Sequence, residues 1–170
     1  MGRRRPLRIV VGDTARAPPG WLSTTPNLLN VVSPTGFSAL GIKAGSVDTV
    51  VAEHVWEHLS VDDGLHAVKH VAAVLTSGGR FRVAVPDARL PGSRRSEDLA
   101  FGHLVRYNVE SLCAVLEAAG LVAVPLEWRD EAGVSHTLPW DPADGMIHRS
   151  ARFDARGAVS LIVDGIKSDD

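Results

Sequence analysis

Val47-Asp48-Thr49-Val50-Val51-Ala52-Glu53-His54-Val55-Trp56-Glu57-His58-Leu59 is the stretch whose reading decides the fold. Val47, Val50 and Val51 make a β-branched run with too few polar breaks for a half-exposed strand, so the run reads as buried. It stops at Ala52-Glu53-His54, where the first charges arrive, and a helical pattern begins at once. A buried strand that delivers Glu and His at its C-terminal end has the geometry of an open α/β sheet, where ligands bind in the crevice beyond the strand ends. Val47 to Ala52 is therefore expected as the central strand, with the active site at its exit.

Toward the N-terminus, Leu7 to Val11 reads as a strand ended by the turn Gly12-Asp13. Thr14 to Gly20 contains Pro18-Pro19-Gly20 and cannot form a helix of useful length, so the first crossover lacks its helix. Trp21 to Thr25 is expected as a second strand closed by Pro26, Leu28 to Val32 as a third, and Leu40 to Ser46 as a loop. Toward the C-terminus, Val55, Leu59, Leu65, Val68, Ala72 and Leu75 recur at helical spacing, and Ser60 with Asp63 starts a second, longer helix. Gly78-Gly79 closes it, Phe81 to Val85 is the next strand, and Asp87 to His103 is a polar, mobile loop. Asn108 caps a helix carrying Val109, Leu112, Cys113, Leu116 and Ala119, closed by Gly120. Leu121 to Trp128 and Val159 to Val163 are the last strands, separated by a polar excursion from Asp130 to Ala158. Strands alternating with helices predict an α/β, doubly wound, mostly parallel Rossmann-like sheet covered on both faces, with the last strand antiparallel.

The 170 residues suit one domain, 1–170, with no internal repeat. A net charge of -2 argues against generic nucleic-acid binding, and Arg3-Arg4-Arg5 reads as a solvated terminal arm. Cys113 is the single cysteine, so no intramolecular disulfide is possible and a reducing, cytoplasmic home is expected. No apolar run approaches the roughly 20 residues of a membrane span, and no signal-peptide core follows the arginines.

With these elements placed, the chain resembles a class I S-adenosylmethionine-dependent methyltransferase, and within it a small bacterial subgroup of predicted methyltransferases. The resemblance rests on Pro19-Gly20-Trp21, on Glu53-His54-Val55 with Glu57-His58-Leu59, and on Leu75 followed by Gly78-Gly79-Arg80 and Val85-Pro86-Asp87. Tyr107-Asn108, Ala119-Gly120-Leu121, Trp140-Asp141, Arg149-Ser150 and Ser160 to Asp164 continue it in order along the chain. It implies a seven-stranded sheet with a reversed last hairpin and a cofactor over the ends of strands one, two and four. Gly12, Asp13, Thr25, Leu40 and Glu53 then fall at cofactor-binding positions. The family's turn after strand one usually holds two or more glycines, whereas here it reads Gly12-Asp13-Thr14-Ala15-Arg16. Where an acid binds the ribose hydroxyls, Ser23-Thr24-Thr25 stand without a carboxylate. One lost charge-assisted hydrogen bond costs roughly 1.5–3 kcal/mol, so S-adenosylmethionine binding is expected to be weak.

Three residues are expected to carry the chemistry: His54, Glu57 and His103. His54 is the first residue past the strand and should face the crevice. His103, near Arg106 and Tyr107, is the candidate general base for a hydroxyl, because imidazole titrates near working pH. His54-x-x-Glu57-His58 also spells an inverted zinc-peptidase motif, but that motif belongs inside a helix and this one follows a strand, so no metal is assigned. His58 is expected as a buried, hydrogen-bonded helix-start residue, and His66 and His70 as surface histidines. Tyr107, Trp140 and Asp141 are candidate substrate contacts, Arg149 and Asp154 a loop-pinning ion pair, and Cys113 a core residue.

Three functions fit these residues. The first is methyl transfer from S-adenosylmethionine to a small polar acceptor such as a sugar or secondary metabolite. The second is a non-methylating enzyme on the same fold, an isomerase, cyclase or hydrolase, with or without a metal. The third is a catalytically silent binding module, which the His/Glu cluster disfavours.

Overall fold

The computed structural model describes residues 5–12, 17–93 and 95–169. In chain order the elements are β1 (Arg8–Val11), β2 (Leu22–Thr24), α1 (Gly36–Ala39), β3 (Val47–Glu53), α2 (Val61–Val74) and β4 (Leu75–Pro86). They continue with α3 (Arg95–Ala100), α4 (Val109–Glu117), β5 (Leu121–Arg129), β6 (Ser135–Thr137) and β7 (Ser160–Lys167). Two 3₁₀ turns, Trp56–His58 and Pro142–Asp144, complete the set. The seven strands form one sheet in the order β2-β1-β3-β4-β7-β5-β6. Parallel pairing joins β2, β1, β3 and β4, whereas β7 pairs antiparallel with β4 and β5, and β6 antiparallel with β5. Strands β1 to β5 therefore run one way, with β6 and β7 reversed.

The β-branched run behaves as its composition dictates: Val47, Val50, Val51 and Ala52 are buried in β3, between β1 and β4. Among the described residues no helix lies between β1 and β2. Helix α2 starts where the Ser60 hydroxyl accepts the Asp63 N–H. A reciprocal capping box between Asn108 and Ser111 opens α4.

Three segments differ from the sequence reading. Leu28 to Val32 is a series of turns and not a strand. Leu28 and Leu29 both donate backbone N–H bonds to the Thr25 carbonyl, and Pro26, Asn27 and Asn30 suit this folding back. Leu29 and Val31 still reach the core. The seventh strand is instead β6 at the opposite edge. Helix α2 ends at Val74 rather than at Gly78-Gly79, which form a tight turn within β4. A Cβ on Gly79 would lie 2.7 Å from the Thr76 carbonyl oxygen, and Gly78 has φ 69°. The segment 87–103 contains α3, with Glu97 and Asp98 in its first turn, where the helix dipole favours acids.

The two faces of the sheet are built differently. On one, Val50, Phe81, Val83 and Val163 pack with α2 and α4 side chains such as Val68, Val71, Leu112 and Leu116 in a single apolar cluster. On the other, Val51, Ala84 and Ile162 meet only Leu126, Ile147, Trp21 and Trp140 in a small cluster. That face is covered by the 130–158 excursion, which is held by polar groups. Arg82, 1% exposed, pairs with Asp164 and donates to the Asp141 and Gly145 carbonyls.

Candidate active site

At the exit of β3 the chain turns sharply. His54 takes φ 55°, an uncommon conformation for a residue other than glycine. Its backbone N–H bonds to the Ala84 carbonyl. Val55 then crosses over the end of β1, so closely that a Cβ on Gly12 would lie 2.5 Å from Val55 Cγ2. The glycine after β1 is thus required by packing as well as by its φ of 90°. Trp56 anchors the 3₁₀ turn by burying its ring against Phe81, with centroids 4.8 Å apart, and by donating Nε1–H to the Gly64 carbonyl. The anchored turn holds Glu57 inward and His58 at the surface.

Glu57 is 1% exposed, and neither carboxylate oxygen has a hydrogen-bond partner among the described residues. Three histidines face Oε1: His54 Nδ1 at 3.4 Å, His58 Nε2 at 3.9 Å and His103 Nε2 at 4.0 Å. The far nitrogen of each ring has its own partner. His54 Nε2 lies 2.8 Å from Ser160 Oγ, His58 Nδ1 lies 3.1 Å from the Gly102 carbonyl oxygen, and His103 Nδ1 lies 3.6 Å from Asp98. Arg106 pairs with the other oxygen of Asp98 and fixes it. The Leu104 and Val105 N–H groups both donate to the Glu57 carbonyl and bring the His103 segment alongside. Burial pushes the Glu57 carboxyl up to about 7. Burial, helped by the Arg149 charge, drops His54 to about 3 and keeps it neutral. His103 is lowered by burial and then by His58.

Beside this cluster, a cavity of about 660 Å³ opens over the ends of β1 and β3, lined among others by Gly12, Pro26, Asn30, His54, Val55 and His58. Its size falls within the roughly 300–1,000 Å³ of small-molecule sites. Among the described residues, no carboxylate lines it.

The sequence-derived candidates divide into those at the cavity and those elsewhere. Gly12 and His54 line the cavity, Glu57 and His103 stand behind His54, and Asp13 lies outside the described residues. Thr25 uses its carbonyl to start the turn after β2, and Leu40 packs against the larger apolar cluster. Both Glu53 oxygens accept hydrogen bonds from the excursion, from the His148 and Arg149 N–H groups and from His148 Nδ1. Tyr107 is buried with its hydroxyl unpartnered, and burial followed by the nearby Glu57 charge raises it to about 12. Trp140 and Asp141 lie on the excursion, where Trp140 Nε1 donates to Glu127 and stacks over Arg82, and the Asp141 side chain caps a 3₁₀ turn.

Three expectations need correction. His58 is not buried: its side chain is 45% exposed and lines the cavity, because Trp56 takes the inward position of the turn. His70 is partly buried and ties α2 to the Val31 carbonyl, so it is not a free surface group. Asp154 pairs with Arg156, two residues on, and not with Arg149. The segment around Glu127 was missed as a source of polar anchors, since its role appears only when β5 faces the excursion.

No family model matches the sequence, and no curated protein matches it. Solved structures do. The CurJ carbon methyltransferase superposes with a TM-score of 0.59 at 14% identity, over 99% of this chain and 50% of its own. A 1,6-didemethyltoxoflavin-N1-methyltransferase from Burkholderia thailandensis, bound to its substrate and S-adenosylhomocysteine, gives 0.55 at 14% identity, over 97% and 72%. A SAM-dependent methyltransferase from Archaeoglobus fulgidus gives 0.55 at 12% identity, over 96% and 87%. The chain thus spans about half the length of the CurJ enzyme. No described helix is long and apolar enough to cross a membrane. By this likeness the fold, with its seven-stranded sheet and reversed β7, is that of the class I S-adenosylmethionine-dependent methyltransferases.

Proposed function

We propose that this chain transfers a methyl group from S-adenosylmethionine to a small polar acceptor, a hydroxyl or amine of a sugar or secondary metabolite. The observation that carries this reading is the 660 Å³ cavity over the ends of β1 and β3, floored by Gly12 and walled by His54. In the neighbouring structures that name S-adenosylhomocysteine, the same fold holds the product of methyl transfer. In-line displacement at a sulfonium methyl depends mostly on positioning, with a smaller share from a base. His54 at the cavity wall and His103 behind Glu57 are the candidate proton acceptors.

No acid stands at Ser23-Thr24-Thr25, and none lines the cavity among the described residues, so affinity should be weak, about tens of micromolar or poorer, for one missing charge-assisted bond. Calorimetric titration with S-adenosylmethionine tests the reading. Val32→Trp, which fills the cavity from its wall, should abolish the binding, whereas Val134→Trp at an exposed site should not. No heat at millimolar cofactor removes methyl transfer. With an acceptor in hand, His54→Ala should lower the rate by about 10²–10⁴-fold, the usual range for a positioned acid or base. His66→Ala, on the exposed face of α2, should leave it unchanged.

A further inference from the structure

We infer that the Glu57 cluster is a binding site for one divalent transition-metal ion of the zinc class, with Glu57 Oε1, His58 Nε2 and His103 Nε2 as its ligands. The site goes beyond methyl transfer and does not depend on it.

Distance is the first argument. The three atoms all lie within 4.8 Å of one another. His58 Nε2 and His103 Nε2 stand 3.9 and 4.0 Å from the carboxylate oxygen, too far for hydrogen bonds. Donors about 2.0–2.2 Å from a tetrahedral zinc are themselves about 3.3–3.6 Å apart, so closure of about half an ångström at Glu57, and of no more than about 1.5 Å between the two rings, would seat an ion.

Proton placement is the second. The Gly102 carbonyl can only accept, so His58 Nδ1 must carry the hydrogen and Nε2 of the neutral ring presents its lone pair to Glu57. Asp98, itself held by Arg106 and 3.6 Å from His103 Nδ1, favours the same tautomer there through its charge. Lone pairs facing a carboxylate repel it unless a proton or a metal cation stands between them, and gaps of 3.9 and 4.0 Å are too wide for a shared proton. Ligating histidines characteristically have the far ring nitrogen bound to a carbonyl or carboxylate; His58 has this bond, and at His103 a carboxylate stands 3.6 Å from the far nitrogen.

Burial is the third. Glu57 is 1% exposed with both oxygens unpartnered and is aimed at the two rings, whereas a buried carboxylate ordinarily has hydrogen bonds or a cation. Two imidazoles with one carboxylate favour zinc, cobalt or nickel over calcium or magnesium, which take oxygen ligands. Three protein ligands leave a fourth position, as in catalytic zinc sites. His58 lines the cavity and so sets the ion at its wall. With the ion bound, His103 has no free lone pair for use as a base.

The 170-residue chain, stripped with a chelator and dialysed, is titrated with Co²⁺ and Zn²⁺ in the absence of S-adenosylmethionine and acceptor. The expected result is one ion per chain, visible ligand-field absorption from cobalt, and a zinc-induced rise in Tm. Glu57→Gln and His103→Ala should each weaken binding by about 100-fold or more, and Asp98→Asn by about 10–100-fold as the partner that orients a ligand. His66→Ala should bind like the native protein, and far-UV circular dichroism confirms that each variant is folded. Absence of saturable 1:1 binding by the native protein overturns the inference. So does folded Glu57→Gln or His103→Ala protein that binds like the native one, or equal losses in His66→Ala and His103→Ala. Because no cofactor is present, failure here leaves the methyl-transfer reading untouched, and the converse holds.

Discussion

The two faces of the sheet solve the same burial problem by different physics. The helical face relies on apolar side chains from α2 and α4, whose contacts are many, individually weak and tolerant of small shifts. The excursion-covered face has little apolar surface and is fastened at a few points by buried polar groups. Arg82 with Asp164 holds 141–145, Glu53 accepts the His148 and Arg149 N–H groups, and Glu127 accepts Ala151 N–H and Trp140 Nε1–H. A long coil can cover a sheet only if its own backbone groups find partners, and these acids supply them. The contrast also sorts the glutamates. Half-buried Glu53 and buried Glu127 have donors and act as fasteners, whereas Glu57 is buried without donors among the described residues and faces three histidine rings.

If the excursion face depends on a few fasteners, Arg82→Met should be the most damaging substitution there. It leaves Asp164 with only the more exposed Arg80 as an ionic partner, and breaking a buried pair costs about 3–5 kcal/mol. Urea unfolding measures the loss, and hydrogen exchange should show amides near Gly145 opening before the helices. Simultaneous loss of protection everywhere would break the comparison. On the helical face, Leu112→Ala in α4 should cost about 2–5 kcal/mol by cavity formation, with protection falling evenly across the domain. Glu127→Gln is milder, about 1–3 kcal/mol, because an amide replaces one of the two acceptor oxygens and leaves Trp140 Nε1–H or Ala151 N–H unpaired. A shift in tryptophan fluorescence with little change in Tm would sharpen this reading to a local one. Arg156→Ala, which removes an exposed pair with Asp154, should leave the unfolding midpoint where it is.

Local chemistry was enough for β3, α4 and the crevice at the exit of β3. A continuous β-branched run has few conformational options, and Asn108 and Gly120 bound α4 through side-chain and backbone effects that act within one turn. The same local chemistry misplaced a strand at Leu28 to Val32. Apolar content there matched a strand, but Pro26 and the asparagines turn the chain back before it can pair. The edge strand β6 was not legible because Ser135–Thr137 has no apolar pattern and exists only through pairing with β5.

What the sequence by itself determined is the course of the chain through β1, β2, β3, α2, β4, α4, β5 and β7 and the presence of His54 and Glu57 at a strand exit, since both follow from neighbours a few positions away. Only the tertiary structure decided that His103 joins them. Its approach depends on Leu104 and Val105 bonding to the Glu57 carbonyl, a contact between segments distant in the chain and invisible to periodicity. It likewise decided which acids are fasteners, because a carboxylate's role depends on the donors that the fold brings to it, and several of those donors are the backbone N–H groups of His148, Arg149 and Ala151, which carry no sequence signal.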